Sequence, residues 1–428
     1  MWYRCQLKRF ILYSIIFLLN IHYEIECQRT WLDDKFIPFL RIFRSIGRYV
    51  VDPPSDYKHK LNLLRERGKL QEKLQEKLEY PLLSNCNTKN GPGARSEQIP
   101  DSVHRLRPGD IDIIGAMGDS LTAGNGILAI NPLQVLVENR GKSWSGGGEG
   151  NLQQYLTLPN ILKEFNPNLY GYTVKDSLTI ERDSKFNVAE PAATSRDMPY
   201  MAEILVKRMK YDSHVNMTHH WKLITLFIGS NDFCSHVCFH SNPMDAIDFH
   251  EKDMLKTLRY LRDNVPRLMV NVMPAINLLF LTKFKNLPPL CDKILTFACP
   301  CLIKRSKDHQ RFMDQLMTKW FERDVKIATK KEFNTETFTI NVQKSFKNFS
   351  YPTLPNGKPD LSYSSEDCFH ISQKTQALAA TAYWNSMLEL MNDVTEPLTP
   401  NIYGRLNCPT EENPYLLTRL NIEKDFPI

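Results

Sequence analysis

The sequence predicts an α/β protein, a three-layer αβα sandwich around a mainly parallel sheet. Three observations lead there. Apolar runs at Ile111–Met117, Leu223–Ile228 and Leu268–Val272 have the length and continuity of strands buried on both faces. Stretches of helical pattern separate them, at Met198–Lys210, Met244–Asn264, His309–Lys331 and Gln373–Leu390, and strands alternating with helices build parallel sheets covered on both sides. Clusters of small polar residues, Gly118-Asp119-Ser120 and Gly229-Ser230-Asn231-Asp232, follow the first two strands, and the carboxyl ends of parallel strands are where such sheets place their sites.

In chain order, Arg4, Lys8 and Arg9 precede an apolar run from Phe10 to Leu19. That run is too short to span a bilayer and suits a signal-peptide core, so residues 1–27 are expected to be a signal peptide cleaved after Cys27. Residues 28–100 form an N-terminal extension. Within it, Leu70, Leu74 and Leu78 recur every four residues inside Lys58–Glu79, which predicts a helix with one apolar stripe. Pro81–Pro100, rich in Asn, Gly, Pro and Ser, predicts a loop. The main domain is expected over 101–395. Leu278–Leu281 and Phe338–Val342 are further strand candidates within it, and 396–428 is expected to be a C-terminal segment packing on the domain. No internal repeat is present, and no apolar tail of anchor length ends the chain.

Of the 428 residues, 42% are hydrophobic and 24% charged, which excludes a disordered, collagenous or polytopic membrane chain. Lys and Arg number 54 against 48 Asp and Glu, a net of +6. No dense basic run accompanies that excess, so no nucleic-acid partner is expected. Eight of the ten cysteines lie beyond the leader: Cys86, Cys234, Cys238, Cys291, Cys299, Cys301, Cys368 and Cys408. An even number in an exported chain predicts disulfides, with the pairing open. Cys234-Ser235-His236-Val237-Cys238-Phe239-His240 can also be read as a zinc knuckle, the lesser reading in an oxidising compartment. Asn216 and Asn348 head N-glycosylation sequons.

Three blocks carry chemistry. Ser120 stands at a strand-to-helix turn, where a hydroxyl is exposed and a backbone N–H is free for an oxyanion. A helix-capping Ser looks the same in sequence. Asp367 precedes His370 by three residues, so one turn lets the carboxylate accept from Nδ1–H and leaves Nε2 to take a proton from a serine. Asn231 offers an amide N–H₂ to a developing oxyanion, although Gly-Ser-Asn-Asp is also an ordinary turn.

In this order and context the blocks resemble the SGNH, or GDSL, hydrolase family. Gly115-Ala116-Met117-Gly118-Asp119-Ser120-Leu121-Thr122-Ala123-Gly124, Arg140-Gly141-Lys142-Ser143-Trp144-Ser145-Gly146-Gly147-Gly148 and Leu158-Pro159-Asn160-Ile161-Leu162 resemble its animal phospholipase B branch. The resemblance runs from about Ser102 to about Leu390. It implies a flavodoxin-like sandwich and a secreted serine ester hydrolase acting on phospholipid and lysophospholipid. Ser120, Asp367 and His370 would be catalytic, with an oxyanion hole from Ser120, residue 192 and Asn231. It implies no cofactor or metal, and peripheral contact with lipid surfaces. The family's second block reads Asn-x-Ala-x-x-Gly-Ala, whereas here it is Asn187-Val188-Ala189-Glu190-Pro191-Ala192-Ala193. Ala192 keeps the backbone N–H but is strained if its φ is positive. Gly146-Gly147-Gly148 is expected to be a flexible loop near the substrate mouth. Two other readings keep the same fold: an esterase or deacetylase for a different ester, and a catalytically silent secreted lipid-binding protein.

Overall fold

A computed structural model describes residues 70–389 and 406–425, apart from 77, 79–82, 84, 85, 344, 345, 347 and 348. The expected leader, most of the Lys58–Glu79 stretch and the Asn348 sequon lie outside the described residues.

The sheet runs β1 (Ile111–Gly118), β2 (Trp221–Phe227), β3 (Leu268–Met273), β5 (Phe338–Val342), β4 (Asn334–Thr335) in spatial order. The first four pair in parallel, and only the two-residue β4 is antiparallel. Beyond β1 the edge is closed by single bridges, Ile113 with Tyr170 and Ala116 with Asn187. Counting that edge, the order is that of a flavodoxin-like sheet.

Period-two alternation sorts the strands between two cores. Ile114, Leu223, Phe227, Met269 and Met273 face one side with Leu158, Ile161 and Phe165 of α2 (Leu158–Phe165) and Ala380, Tyr383 and Trp384 of α8 (Gln373–Ser386). Ile113, Met117, Ile224, Leu226, Val270 and Val272 face the other. There they meet Leu205 of α3 (Met198–Tyr211), Leu258 of α5 (Asp245–Asn264) and Ile327 of α7 (Lys307–Ala328). This is the three-layer sandwich expected from the sequence. The short helices α1 (Ser120–Ala123) and α4 (Ser230–Ser235) follow β1 and β2, α6 (Pro289–Ala298) follows β3, and α9 (Arg419–Asp425) ends the described chain.

Three expectations are corrected. Leu278–Leu281 is not a strand but part of a 3-10 helix, Leu278–Lys283. It lies past the end of β3, Asn277 caps it by accepting from the Leu279 N–H at 3.0 Å, and Leu278 and Leu281 turn inward together. A short apolar run carries no period that separates the two cases. The leucine repeat does not make one helix over its described part either. Gln71–Lys73 is a single 3-10 turn, after which Leu74 is extended (ψ 151°). Tertiary partners hold the chain open: the Gln75 N–H donates to Gln373 Oε1 at 2.5 Å, and Gln75 Oε1 accepts from the Leu156 N–H at 2.8 Å. The Gly146–Gly148 run is buried rather than a flexible mouth loop. A Cβ on Gly147 would lie 2.5 Å from the Gly141 carbonyl, and one on Gly148 2.2 Å from the Tyr172 ring. The glycines are there for close packing.

Among the described residues, four disulfides join Cys86 to Cys408, Cys234 to Cys299, Cys238 to Cys301 and Cys291 to Cys368. Cys234 and Cys238 are thereby committed to sulfur partners and supply no thiolate to a zinc knuckle. The C-terminal segment lies on the domain, where Leu416 N–H donates to the Leu106 carbonyl at 2.7 Å and Leu417 N–H to that of Met387 at 2.8 Å. Among the described residues no helix is long and apolar enough to cross a membrane.

Candidate active site

Ser120 stands where β1 turns into α1. The turn needs Gly118, whose φ is 155° and whose hypothetical Cβ would lie 2.3 Å from the Phe227 carbonyl. Asp119 caps the helix by accepting from the Leu121 N–H at 2.9 Å. Ser120 is therefore the first residue of α1, and a first-turn N–H has no partner within its own helix.

The turn before α8 brings up the other groups. His370 Nε2 lies 2.8 Å from Ser120 Oγ, across 250 residues of sequence. His370 Nδ1 lies 2.5 Å from Asp367 Oδ2, and Asp367 Oδ1 accepts from the backbone N–H groups of Phe369 (3.1 Å) and His370 (2.9 Å). Cys368, at φ 59°, makes the bend that folds His370 back over Asp367, and its disulfide to Cys291 ties down that bend.

Burial pushes the Asp367 carboxyl up, but the His370 charge and its hydrogen bonds outweigh this and hold it below the ordinary carboxylate range. For His370, burial favours the neutral ring. The attraction and hydrogen bond of Asp367, helped by Asp119, outweigh it and raise the imidazole above its usual value. Burial pushes Asp119 up to about 7, and its Oδ2 has no hydrogen-bond partner.

The two other expected donors come from neighbouring loops. Ala192 sits at φ 62°, in the left-handed region, with its methyl exposed. Asn231 is on the first turn of α4, and its Nδ2 donates to the Ala193 carbonyl at 2.8 Å. An amide NH₂ has a second hydrogen to offer. The Asn231 bond ties the two donor loops to each other.

Sequence reasoning missed the supports behind these loops. Arg140 is fully buried and paired with Glu138. Its guanidinium also donates to the carbonyls of Ser177, Asn187 and Ala189 at 2.8, 3.2 and 2.7 Å. Asn187 in turn donates to the Thr122 carbonyl of α1 at 2.9 Å. One cation thus fixes the loop leading to Ala192 against the helix that carries Ser120. A second Ser-His-Asp row lies deeper. Ser195 Oγ is 2.8 Å from His250 Nδ1, and His250 Nε2 is 2.8 Å from Asp324 Oδ1. All three are at most 3% exposed; Ser120 is itself only 5% exposed, but its partner His370 keeps 15% of its side chain exposed where His250 keeps 1%. This row is a clamp, because the Ser195 N–H donates to the Asp232 carboxylate (3.1 Å to Oδ2), beside Asn231. The signal was present in the sequence. His250 shares the inner stripe of α5 with Met254, Leu258 and Leu261, and a histidine in an apolar stripe must find partners.

The chain is similar to known proteins in both sequence and fold comparisons. The sequence profile of the GDSL-like Lipase/Acylhydrolase family matches residues 114–383. A mouse protein named "Phospholipase B1, membrane-associated" is 39% identical over 343 residues, covering 76% of this chain and 22% of that protein. The human protein of the same name is 37% identical over 334 residues, with 76% and 22% covered. The chain thus spans about a fifth of the length of the curated relatives it matches. Among solved structures, an extracellular lipase from Streptomyces rimosus overlaps with a TM-score of 0.33 at 13% identity, over 62% of this chain and 94% of the lipase. From the profile match over most of the described domain, the chain belongs to the GDSL-like lipase/acylhydrolase family.

Proposed function

We propose that this protein is a serine ester hydrolase of phospholipase B type, releasing fatty acids from phospholipids and lysophospholipids through an acyl-enzyme on Ser120. The observation that carries the reading is the continuous row from Ser120 Oγ through His370 to Asp367, with separations of 2.8 and 2.5 Å. The relatives' names support the substrate class.

In the proposed reaction Ser120 Oγ attacks the ester carbonyl while His370 Nε2 takes its proton. Asp367 holds the imidazole tautomer and stabilises the imidazolium. The oxyanion is received by the N–H groups of Ser120 and Ala192 and the Asn231 amide, each worth roughly 2.7–4 kcal/mol by analogy with other oxyanion holes. His370 then gives the proton to the leaving alcohol. Water, deprotonated by the same nitrogen, attacks the acyl-serine, and the fatty acid leaves as Ser120 recovers its proton.

The supporting frame is an exported chain with residues 1–27 as leader, 28–100 as extension and 101–395 as the catalytic domain. Four disulfides suit an oxidising compartment. Asn216, exposed in a turn closed by Thr218, suits a glycan acceptor. The test is Ser120→Ala assayed on phosphatidylcholine, lysophosphatidylcholine and a short soluble ester. The expected result is a loss of about 10⁶-fold on each with an unchanged circular dichroism spectrum. Near-parental activity would remove Ser120 from the mechanism.

A further inference from the structure

We propose that α6 and the basic chain around it form the surface by which this protein docks on an anionic phospholipid bilayer. The consequence for catalysis rests on the phospholipid reading above; the surface itself does not.

The helix has two apolar stripes. Cys291 and Leu295 face inward and are buried. On the outside, Leu290 is 51% exposed and Phe297 83%, with Ile294 half-buried between them at the spacing of one helix face. One apolar stripe suffices to seat a helix on a core. A second, carrying a phenylalanine in water, marks an interaction surface.

Charge identifies the occupant. Residues 277–307 contain Lys283, Lys285, Lys293, Lys304, Arg305 and Lys307 against the single acid Asp292, a net of +5 within a chain whose total is +6. All six basic residues are exposed. The segment around α6 is therefore locally basic, with its one acid, Asp292, paired to Lys304 at 2.7 Å. An apolar ridge fringed by lysines suits the boundary of an anionic bilayer, where apolar side chains enter the acyl region and lysines meet lipid phosphates. Nucleic acid would use the charge but leave the ridge in water.

The covalent links give the surface its meaning. Cys291 of α6 is bonded to Cys368, which lies between Asp367 and His370. Cys299, next after α6, is bonded to Cys234, on the helix that starts with Ser230 and Asn231. Beneath the ridge, Leu295, Cys291 and Cys368 share one apolar cluster, against which Phe369 packs. A bilayer seated on α6 is thus held in fixed relation to the catalytic turn and to the Asn231 helix.

The test uses the full chain with Ser120→Ala, so that vesicles survive, in sedimentation with phosphatidylcholine vesicles with and without phosphatidylserine. Binding is expected to be at least ~10-fold tighter with phosphatidylserine. Lys283→Glu, Lys285→Glu and Lys293→Glu together should abolish that preference. Leu290→Gln with Phe297→Gln should weaken binding about 10-fold to both vesicle types. With Ser120 intact, both sets should keep kcat/KM on a short soluble ester within about twofold, which also reports correct folding, while losing most hydrolysis of vesicle lipid. Vesicle binding by the Leu290/Phe297 variant equal to that of the parent overturns the proposal, as does a parent that binds neither vesicle. The two readings fail separately. A protein that docks through α6 but hydrolyses no phospholipid keeps the surface and loses the substrate. One that hydrolyses micellar phospholipid with docking insensitive to these changes keeps the substrate and loses the surface.

Discussion

Ala192→Gly tests the loop proposed to supply an oxyanion donor. Ala192 has φ 62° and an exposed side chain. A residue with a Cβ in the left-handed region costs roughly 1–2 kcal/mol. Removing the Cβ relieves that strain, and the freer unfolded chain takes back about 0.4–1 kcal/mol. No packing is lost, because the methyl faces solvent. The net expectation is a stabilisation of about 0.5–1 kcal/mol, read from urea unfolding midpoints at constant slope. The backbone N–H survives the change, so kcat on a short ester should stay within about threefold. Ala192→Val is the opposite control: a branched Cβ at the same φ should destabilise by about 1 kcal/mol or more and move the donor. A Gly variant less stable than the parent, or a Val variant equal to it, would refute the assignment of strain to this position.

Other perturbations follow from the same geometry. The reaction needs neutral His370, and Asp367 and Asp119 hold its pKa above the usual value against burial, so kcat/KM should rise with pH through an acid limb above about 6.5; a limb below that value would contradict the arrangement. Asp119, pushed up to about 7, stays protonated in the folded chain over a range where the unfolded chain has released its proton. Its burial therefore destabilises the fold progressively as pH rises from about 4 to about 7. Asp119→Asn keeps the cap acceptor, so its melting temperature relative to the parent should be higher at pH 8 than at pH 4.5, and its activity limb should move to lower pH. Joint Cys291→Ser and Cys368→Ser substitution opens a link spanning 77 residues. Thermal or urea unfolding should show a loss of about 4.5 kcal/mol by chain entropy, and kcat should fall as the Asp367–His370 turn loosens. His250→Ala strands the buried Asp324 and frees Ser195 Oγ, so urea unfolding should show about 3 kcal/mol less stability.

Much of the site was legible because its parts are short and local. A strand ending in Gly-Asp-Ser and an Asp three residues before a His each specify a turn through neighbouring residues, and those turns carry Ser120 and His370. The parallel strands were legible for the same reason, since burial on both faces leaves a continuous apolar run. The 3-10 helix at Leu278 and the open chain at Leu74 were not, because four apolar residues, or three leucines at one spacing, fit more than one backbone until their partners are known.

From the sequence came the fold class, the even set of cysteines and, through the family resemblance, the candidates Ser120, His370 and Asp367 and the two loops proposed as oxyanion donors. Only the tertiary structure decided which cysteines pair, that Ala192 bears a left-handed φ, and that Arg140 and the Ser195–His250–Asp324 row hold the donor loops from behind. It also decided that α6 turns a phenylalanine outward while bonded to the Asp367–His370 turn. The division has a physical cause. Local turns and buried runs are written in adjacent side chains, whereas partners separated by tens or hundreds of residues are selected only when packing closes the space between them.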